Sequence, residues 1–205
     1  MSQPSEPGSS FEFIAGNPCL DFANTVDNRT AAAPEELLID YSRLLRWGEE
    51  ARVITSKTAE RLRAAALAAP GRAQAALRSA IALRDAIYDI FSAAAERRSA
   101  PATQLALINT AVREALKHAQ IVYGNRQFAW EWACPETSFD SVVWPVARAA
   151  VDLLTSEELT YVRRCADDGC AWLFQDTSKN HRRRWCEMKT CGNRAKAKAY
   201  YQRRK

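Results

Sequence analysis

Two cysteine pairs of identical spacing, Cys165/Cys170 and Cys186/Cys191, stand fifteen residues apart near the end of this 205-residue chain. Each is a C-x4-C, short enough for the backbone to turn both sulfurs toward one point. Four thiolates around one point suit tetrahedral Zn2+ in a closed structural site, which leaves no position for water or substrate. The segment between the pairs then folds as a small lobe stabilised mainly by the ion, because apparent binding energies of roughly 10–16 kcal/mol are ample for a lobe of this size. Asp168-Gly169 provides a turn inside the first pair, and Trp172, Phe174 and Trp185 provide apolar cover. We expect one structural zinc per chain, held by Cys165, Cys170, Cys186 and Cys191. Other readings fit less well. Scattered structural cysteines would seldom show matched gaps, and a redox disulfide would take C-x-x-C beside a βαβ pattern. His181 could replace one thiol but lies in a basic run without ligand spacing. Cys19 and Cys134 have no neighbouring partner and read as small buried hydrophobes.

The charge around these cysteines is lopsided. Residues 161–205 hold thirteen Lys and Arg against four acids, whereas residues 1–160 hold sixteen against twenty. From Lys179 onward eleven cations face a single acid, Glu187. Such crowding repels itself unless a polyanion neutralises it, although a solvated basic helix would carry the same composition. The stretch CGNRAKAKAYYQRRK has alanines at 195, 197 and 199 and no proline, which predicts a helix from about Cys191 to Arg204. Arg194, Lys198 and Tyr201 share one face of it, flanked by Lys196, Tyr200, Arg203 and Arg204. A major groove accepts a helix of this kind. Arg182, Arg183, Arg184, Lys196, Lys198, Arg203 and Arg204 would meet phosphates, and Asn193 and Arg194 have the chemistry of base readers. Each of those two has an ordinary alternative: a backbone cap for Asn193 and a local ion pair for Arg194.

Ahead of the cysteines the periodicity is mainly helical. Residues 1–10 read as disordered and Phe11–Ile14 as a short strand ended by Gly16-Asn17-Pro18. CLDFANTVDNRT reads as a helix of about three turns, and a second starts near Asp40. Thr55-Ser56 caps a third from Lys57 to Ala69. The longest runs from Arg72 to about Arg98, with Leu77, Ile81, Arg84, Ile87 and Phe91 inward. Another follows Pro101 to about Ala119, with Leu105, Ile108, Val112 and Leu116 inward. QIVYGNRQFAWEW alternates around Gly124-Asn125 and predicts a β-hairpin. A helix follows from Ser138, with Pro145 marking a kink or a later start. Thr155–Glu158 caps a short helix reaching Arg164. The expectation is a mainly α protein with one small hairpin: an α-rich domain at 11–160 and a small four-cysteine finger at 161–205. On that division, removing 161–205 would leave a soluble helical body.

The pattern C-x4-C-x-W-x-F-x-D-x-S-x-N-x3-RRWC-x-M-x2-CGNR-x-K, from Cys165 to Lys196, resembles the CGNR zinc finger family, named for Cys191-Gly192-Asn193-Arg194. The preceding region, with LDFANTVDNR near its start, is similar to the N-terminal domain that accompanies this finger in bacterial proteins described as stress-induced transcription regulators. The resemblance implies a DNA-binding regulator with a structural zinc, acting on double-stranded DNA. A one-component regulator needs a sensor, which would account for the first 160 residues. Within them Asp21, Asn24, Thr25, Asn28 and Arg29 are polar groups in an apolar helix and are candidates to line a pocket for a small-molecule effector. The alternative is that the same groups cap a neighbouring element or pair with Arg52 or Arg84, since buried polar groups usually find such partners. A symmetric dimer is common for such regulators.

No run of about 18 apolar residues reads as a membrane span, and the opening MSQPSEPGSS does not read as a secretory signal, so the expected compartment is the cytoplasm. No phosphate loop, H-E-x-x-H or G-x-S-x-G motif is present, so an enzyme is not expected. Three rivals stand beside a DNA-binding regulator: an RNA-binding protein using Trp172, Tyr200 and Tyr201 to stack, an enzyme with its site in the first 160 residues, and a finger that binds an acidic protein.

Overall fold

The structure, a computed structural model, describes residues 11–133 and 138–202. The expectations for residues 1–10, for Cys134 and for Arg203 and Arg204 fall outside the described residues.

Helix α1 spans Pro18–Ala23 and is set by its cap: Asn17 accepts from the Cys19 N–H at 3.1 Å and Pro18 occupies the first turn. Gly16-Asn17-Pro18 therefore starts a helix rather than ending a strand, and Phe11–Ile14 is not strand. The helix stops at Ala23, well short of three turns. After it, β1 (Val26–Asp27) pairs antiparallel with β2 (Glu35–Glu36). Helix α2 (Tyr41–Glu50) is capped by Asp40, and α3 (Ser56–Ala68) by Thr55. Helix α4 (Pro70–Ala95) buries Leu77, Arg84, Ile87 and Phe91. Helix α5 (Ala102–Leu116) buries Ile108 but leaves Leu105 and Leu116 exposed, against expectation. It lies against α4 and α6 at the edge of the core, so only a narrow stripe is covered.

Strands β3 (Ala119–Gly124) and β4 (Gln127–Trp132) form the expected hairpin. Its two turn residues are Asn125 and Arg126, one position later than the expected Gly124-Asn125, at φ of 51° and 62°, the left-handed pair that a two-residue hairpin turn requires. A 3-10 turn over Phe139–Val143 leads into α6 (Trp144–Leu154), with Pro145 in its first turn. The segment predicted as a short helix to Arg164 is instead a 3-10 turn, Glu157–Tyr161, followed by β5 (Val162–Arg164). Strand β5 pairs with β6 (Leu173–Gln175). A π-turn over Met188–Gly192 enters α7, Asn193–Gln202.

One hydrophobic core runs through both parts of the chain. Phe22, Trp47, Phe91 and Trp144 are fully buried, and so is Phe174 of the lobe. Strand β6 packs on α1 and β5 on α4, so the four cysteines, Val162, Leu173 and Phe174 belong to the same buried cluster as the helices. Burying side chains of this size contributes about 1.5–3 kcal/mol each. Removing 161–205 would uncover this surface, which argues against an independently soluble body.

Candidate metal centre and nucleic-acid interface

The two cysteine pairs converge because each sits at a bend. Cys165 follows β5, and its N–H bonds the Trp172 carbonyl at 2.8 Å. Between it and Cys170, the Asp167 carboxylate accepts from the Gly169 N–H at 3.1 Å, closing the turn. On the other side Cys186 precedes the π-turn and Cys191 lies within it. A Cβ at Gly192 would collide with the Met188 sulfur, so a larger residue there would displace Met188.

All four sulfurs are buried and lie within 4.8 Å of one another. Sγ of Cys186 is 3.6 Å from that of Cys170 and 3.6 Å from that of Cys191. A tetrahedron with Zn–S arms of about 2.3 Å has edges of roughly 3.8 Å. The four cysteines thus form a site positioned to bind one zinc ion. Thiols this close cannot all ionise unaided. Hydrogen bonds from Cys170 and Cys186 pull Cys165 down, donation to Cys165 holds Cys170 and Cys186 up, and burial raises Cys191. A divalent cation at the centre is what would stabilise all four as thiolates.

Three aspartates, whose side-chain partners the sequence does not reveal, shape the rest of the lobe. Asp167 pairs with Arg194 at 3.0 Å, and Arg194 also donates to Cys191 Sγ at 3.6 Å. Asp168 pairs with Lys198 at 2.6 Å. The i, i+4 face of α7 that carries Arg194 and Lys198 is therefore tied to the first cysteine turn by ion pairs, with both side chains still exposed. Asp176 is buried and accepts from Ser178 N–H (3.0 Å), Ser178 Oγ (2.6 Å) and Arg183 N–H (2.8 Å). Burial pushes its carboxyl up, but these bonds win and hold it below its ordinary value. For Asp176 a local signal of the turn was available: Asp-x-Ser is a common side-chain turn.

The cations expected on DNA separate accordingly. Arg183 is half-buried, with its guanidinium 4.5 Å from the Phe174 ring and Nε donating to the Trp185 carbonyl at 2.9 Å. Asn193 donates to the Lys189 carbonyl at 2.9 Å, one of its two expected roles. Arg184 is exposed and lies over Trp185 at 5.2 Å. Arg182 and Lys196, with Lys179 and Lys189, are exposed and have no ion pair among the described residues.

The residues expected to line an effector pocket lie beneath the lobe, where Asp21, Asn24, Thr25 and Arg29 bond backbone groups, Asn28 bonds the Asp27 carboxylate and Arg29 also pairs with Asp85. Asn24 clasps β6: its amide donates to the Leu173 carbonyl at 2.8 Å while its carbonyl accepts the Leu173 N–H at 2.9 Å. Asp21 accepts the Ala15 N–H at 2.9 Å, and the Ala15 carbonyl accepts the Gln175 N–H at 2.8 Å. Thr25 bonds the Phe22 carbonyl, and Asn28 bonds Asp27. Arg29 reaches the Ala23 carbonyl at 2.7 Å and covers the Tyr88 ring, while Tyr88 itself donates to the Ala171 carbonyl at 3.0 Å. The Trp172 indole donates to the Val26 carbonyl at 3.0 Å, and Thr30 donates to the Asp168 carbonyl. LDFANTVDNR is the seat of the finger.

This arrangement, a helical body seating a four-cysteine finger, is matched by two family models. One, described as ABATE, putative stress-induced transcription regulator, covers residues 16–157. The chain belongs to the ABATE family. The other, the CGNR zinc finger, covers residues 161–204. No curated protein matches the chain. In this ABATE protein the segment that joins the two matched regions in space, residues 20–30, is the same one that carries LDFANTVDNR. No described helix is long and apolar enough to cross a membrane.

Proposed function

We propose that the chain is a cytoplasmic DNA-binding transcription regulator, not an enzyme, in which the zinc-held lobe docks on duplex DNA. The observation that carries this reading is the set of exposed cations, Arg182, Lys189 and Lys196, without ion-pair partners among the described residues, while Arg194 and Lys198 are neutralised locally. Unpaired cations on a rigid lobe are what phosphate binding requires, because neutralised phosphates release condensed counterions. Arg182 and Arg184 approach from the loop pinned by Asp176, and Lys196 from the outer side of α7. Residues 20–30 transmit rather than receive in this reading. An effector held anywhere in the body reaches the lobe through the Asn24–Leu173 clasp and the Trp172–Val26 bond.

The test is binding of the zinc-loaded full chain to a random duplex library, titrated with salt, beside structured RNA at the same ionic strength. Duplex binding that weakens steeply with salt supports the reading. Absence of duplex binding in dilute buffer, or tighter binding to RNA, refutes it. Turnover by the full chain in an activity screen would overturn the non-enzymatic assignment.

A further inference from the structure

The hairpin is the part of the molecule the fold explains least. Its register pairs Ala119 with Trp132, Ile121 with Trp130 and Tyr123 with Phe128. Side chains alternate across a strand, so these six share one face. At the base that face is anchored, with Trp132 6.2 Å from the Trp144 ring and the Arg148 guanidinium 4.6 Å above Trp130. Beyond the base it is bare: Ile121 is 65% exposed, Tyr123 65%, Phe128 77% and Trp130 54%. Among the described residues the sheet has these two strands alone, and neither edge has a strand partner. The usual edge guards are missing too, since AQIVYG and QFAWEW contain no lysine or proline and one charge, Glu131. A two-stranded hairpin in water is marginal without further cover.

We propose that a second copy of this chain covers this face, two hairpins packing aromatic side on aromatic side about a two-fold axis. The strand side chains of the face carry no charge and the one cation over it, Arg148, is paired with Asp152, so its best complement is an equally uncharged face, and a two-fold axis supplies one by presenting the same patch twice. The area is sufficient. Side chains of this class bury about 150–250 Å2 each, so four of them at these exposures offer on the order of 500 Å2 per chain. Two copies bury about 1,000 Å2, where specific interfaces begin. The pair also brings two finger lobes into one particle, but the inference does not depend on what those lobes bind.

Sedimentation velocity of the full, zinc-loaded chain at micromolar concentration, without nucleic acid, tests it. The expected species has twice the mass of one chain. Phe128→Lys with Tyr123→Lys should weaken self-association roughly a hundredfold, as losing two central aromatics does. Because these two rings pack on each other at 4.9 Å and two lysines would face each other across the strands, a second variant, Ile121→Lys, keeps that pair and should weaken the dimer with no change in the circular dichroism spectrum. Leu67→Lys, at an exposed apolar position on α3, should leave the dimer intact. A wild-type chain that stays monomeric, including one that instead binds lipid vesicles or an unrelated peptide, overturns the proposal. So does a dimer that survives both hairpin substitutions, or one that Leu67→Lys dissolves.

Discussion

On the side of the zinc lobe facing the helical body, polar groups pair across the contact: Asn24 meets both backbone groups of Leu173, the Trp172 indole meets Val26, and Gln175 meets Ala15. On the side facing solvent, Arg182, Lys189 and Lys196 meet no ion-pair partner among the described residues. Substitutions on the two sides should therefore fail differently, the inner ones in stability and the outer ones in binding. The salt bridges of Arg194 and Lys198 mark the boundary, because their cations hold α7 in place instead of standing free.

The severest challenge to this contrast is loss of the metal. Cys186→Ser should abolish stoichiometric zinc, measurable by metal analysis, and lower the melting temperature of the whole chain because lobe and body share one core. Full zinc retention would refute the ligand set. Two separate melting transitions would show that the core is divided after all. Next in size is Asn24→Leu, which leaves the Leu173 N–H and carbonyl buried without partners. It should cost about 2–6 kcal/mol in urea unfolding, at one to three per orphaned group. A loss under about 0.5 kcal/mol would mean the clasp is not what seats the finger.

On the outer side, Arg182→Ala or Lys196→Ala should leave unfolding unchanged while reducing the salt slope of duplex binding by about one each. Arg183→Ala should do the reverse, destabilising the lobe because its guanidinium covers Phe174 and bonds the Trp185 carbonyl. Equal effects from Arg182 and Arg183 would erase the distinction between the faces.

The smallest effect is one of pH. Burial raises the Asp21 carboxyl to about 6 from 3.8, with the Ala15 and Ile14 N–H groups pulling it back only in part. The folded state therefore binds the proton more tightly than the unfolded chain. This favourable contribution is complete below the ordinary carboxylate value and lost as pH rises through about 6. Asp21→Asn should flatten the dependence between pH 4 and 6, by on the order of 1–2 kcal/mol. An unchanged slope would place the titration elsewhere.

What could be read ahead of the structure follows from how far each interaction reaches along the chain. The zinc ligands were legible because metal chemistry needs only residue type and spacing. The helix start near Asp40, the cap at Thr55 and the presence of a hairpin were legible because each is settled within a few residues, although the turn itself lies one position beyond Gly124-Asn125. Helix α1 was overextended because LDFANTV has helical periodicity, and what ends it is a partner 149 residues away, Leu173. Leu105 and Leu116 were placed inward by the same periodicity, which cannot tell how much of a helix face its neighbours cover. Arg194 and Lys198 were placed on the open face because Asp167 and Asp168 lie a zinc-folded turn away, and no local pattern reports that approach.

A strand of a sheet ordinarily needs a neighbouring strand to satisfy an inward-facing peptide, yet at Leu173 one side-chain amide does the same job. Grafting residues 161–204 onto a foreign scaffold would thus expose a severed hydrogen-bond pair at its heart. The finger is not a portable cassette: whatever lineage inherits it must inherit Asn24 along with it.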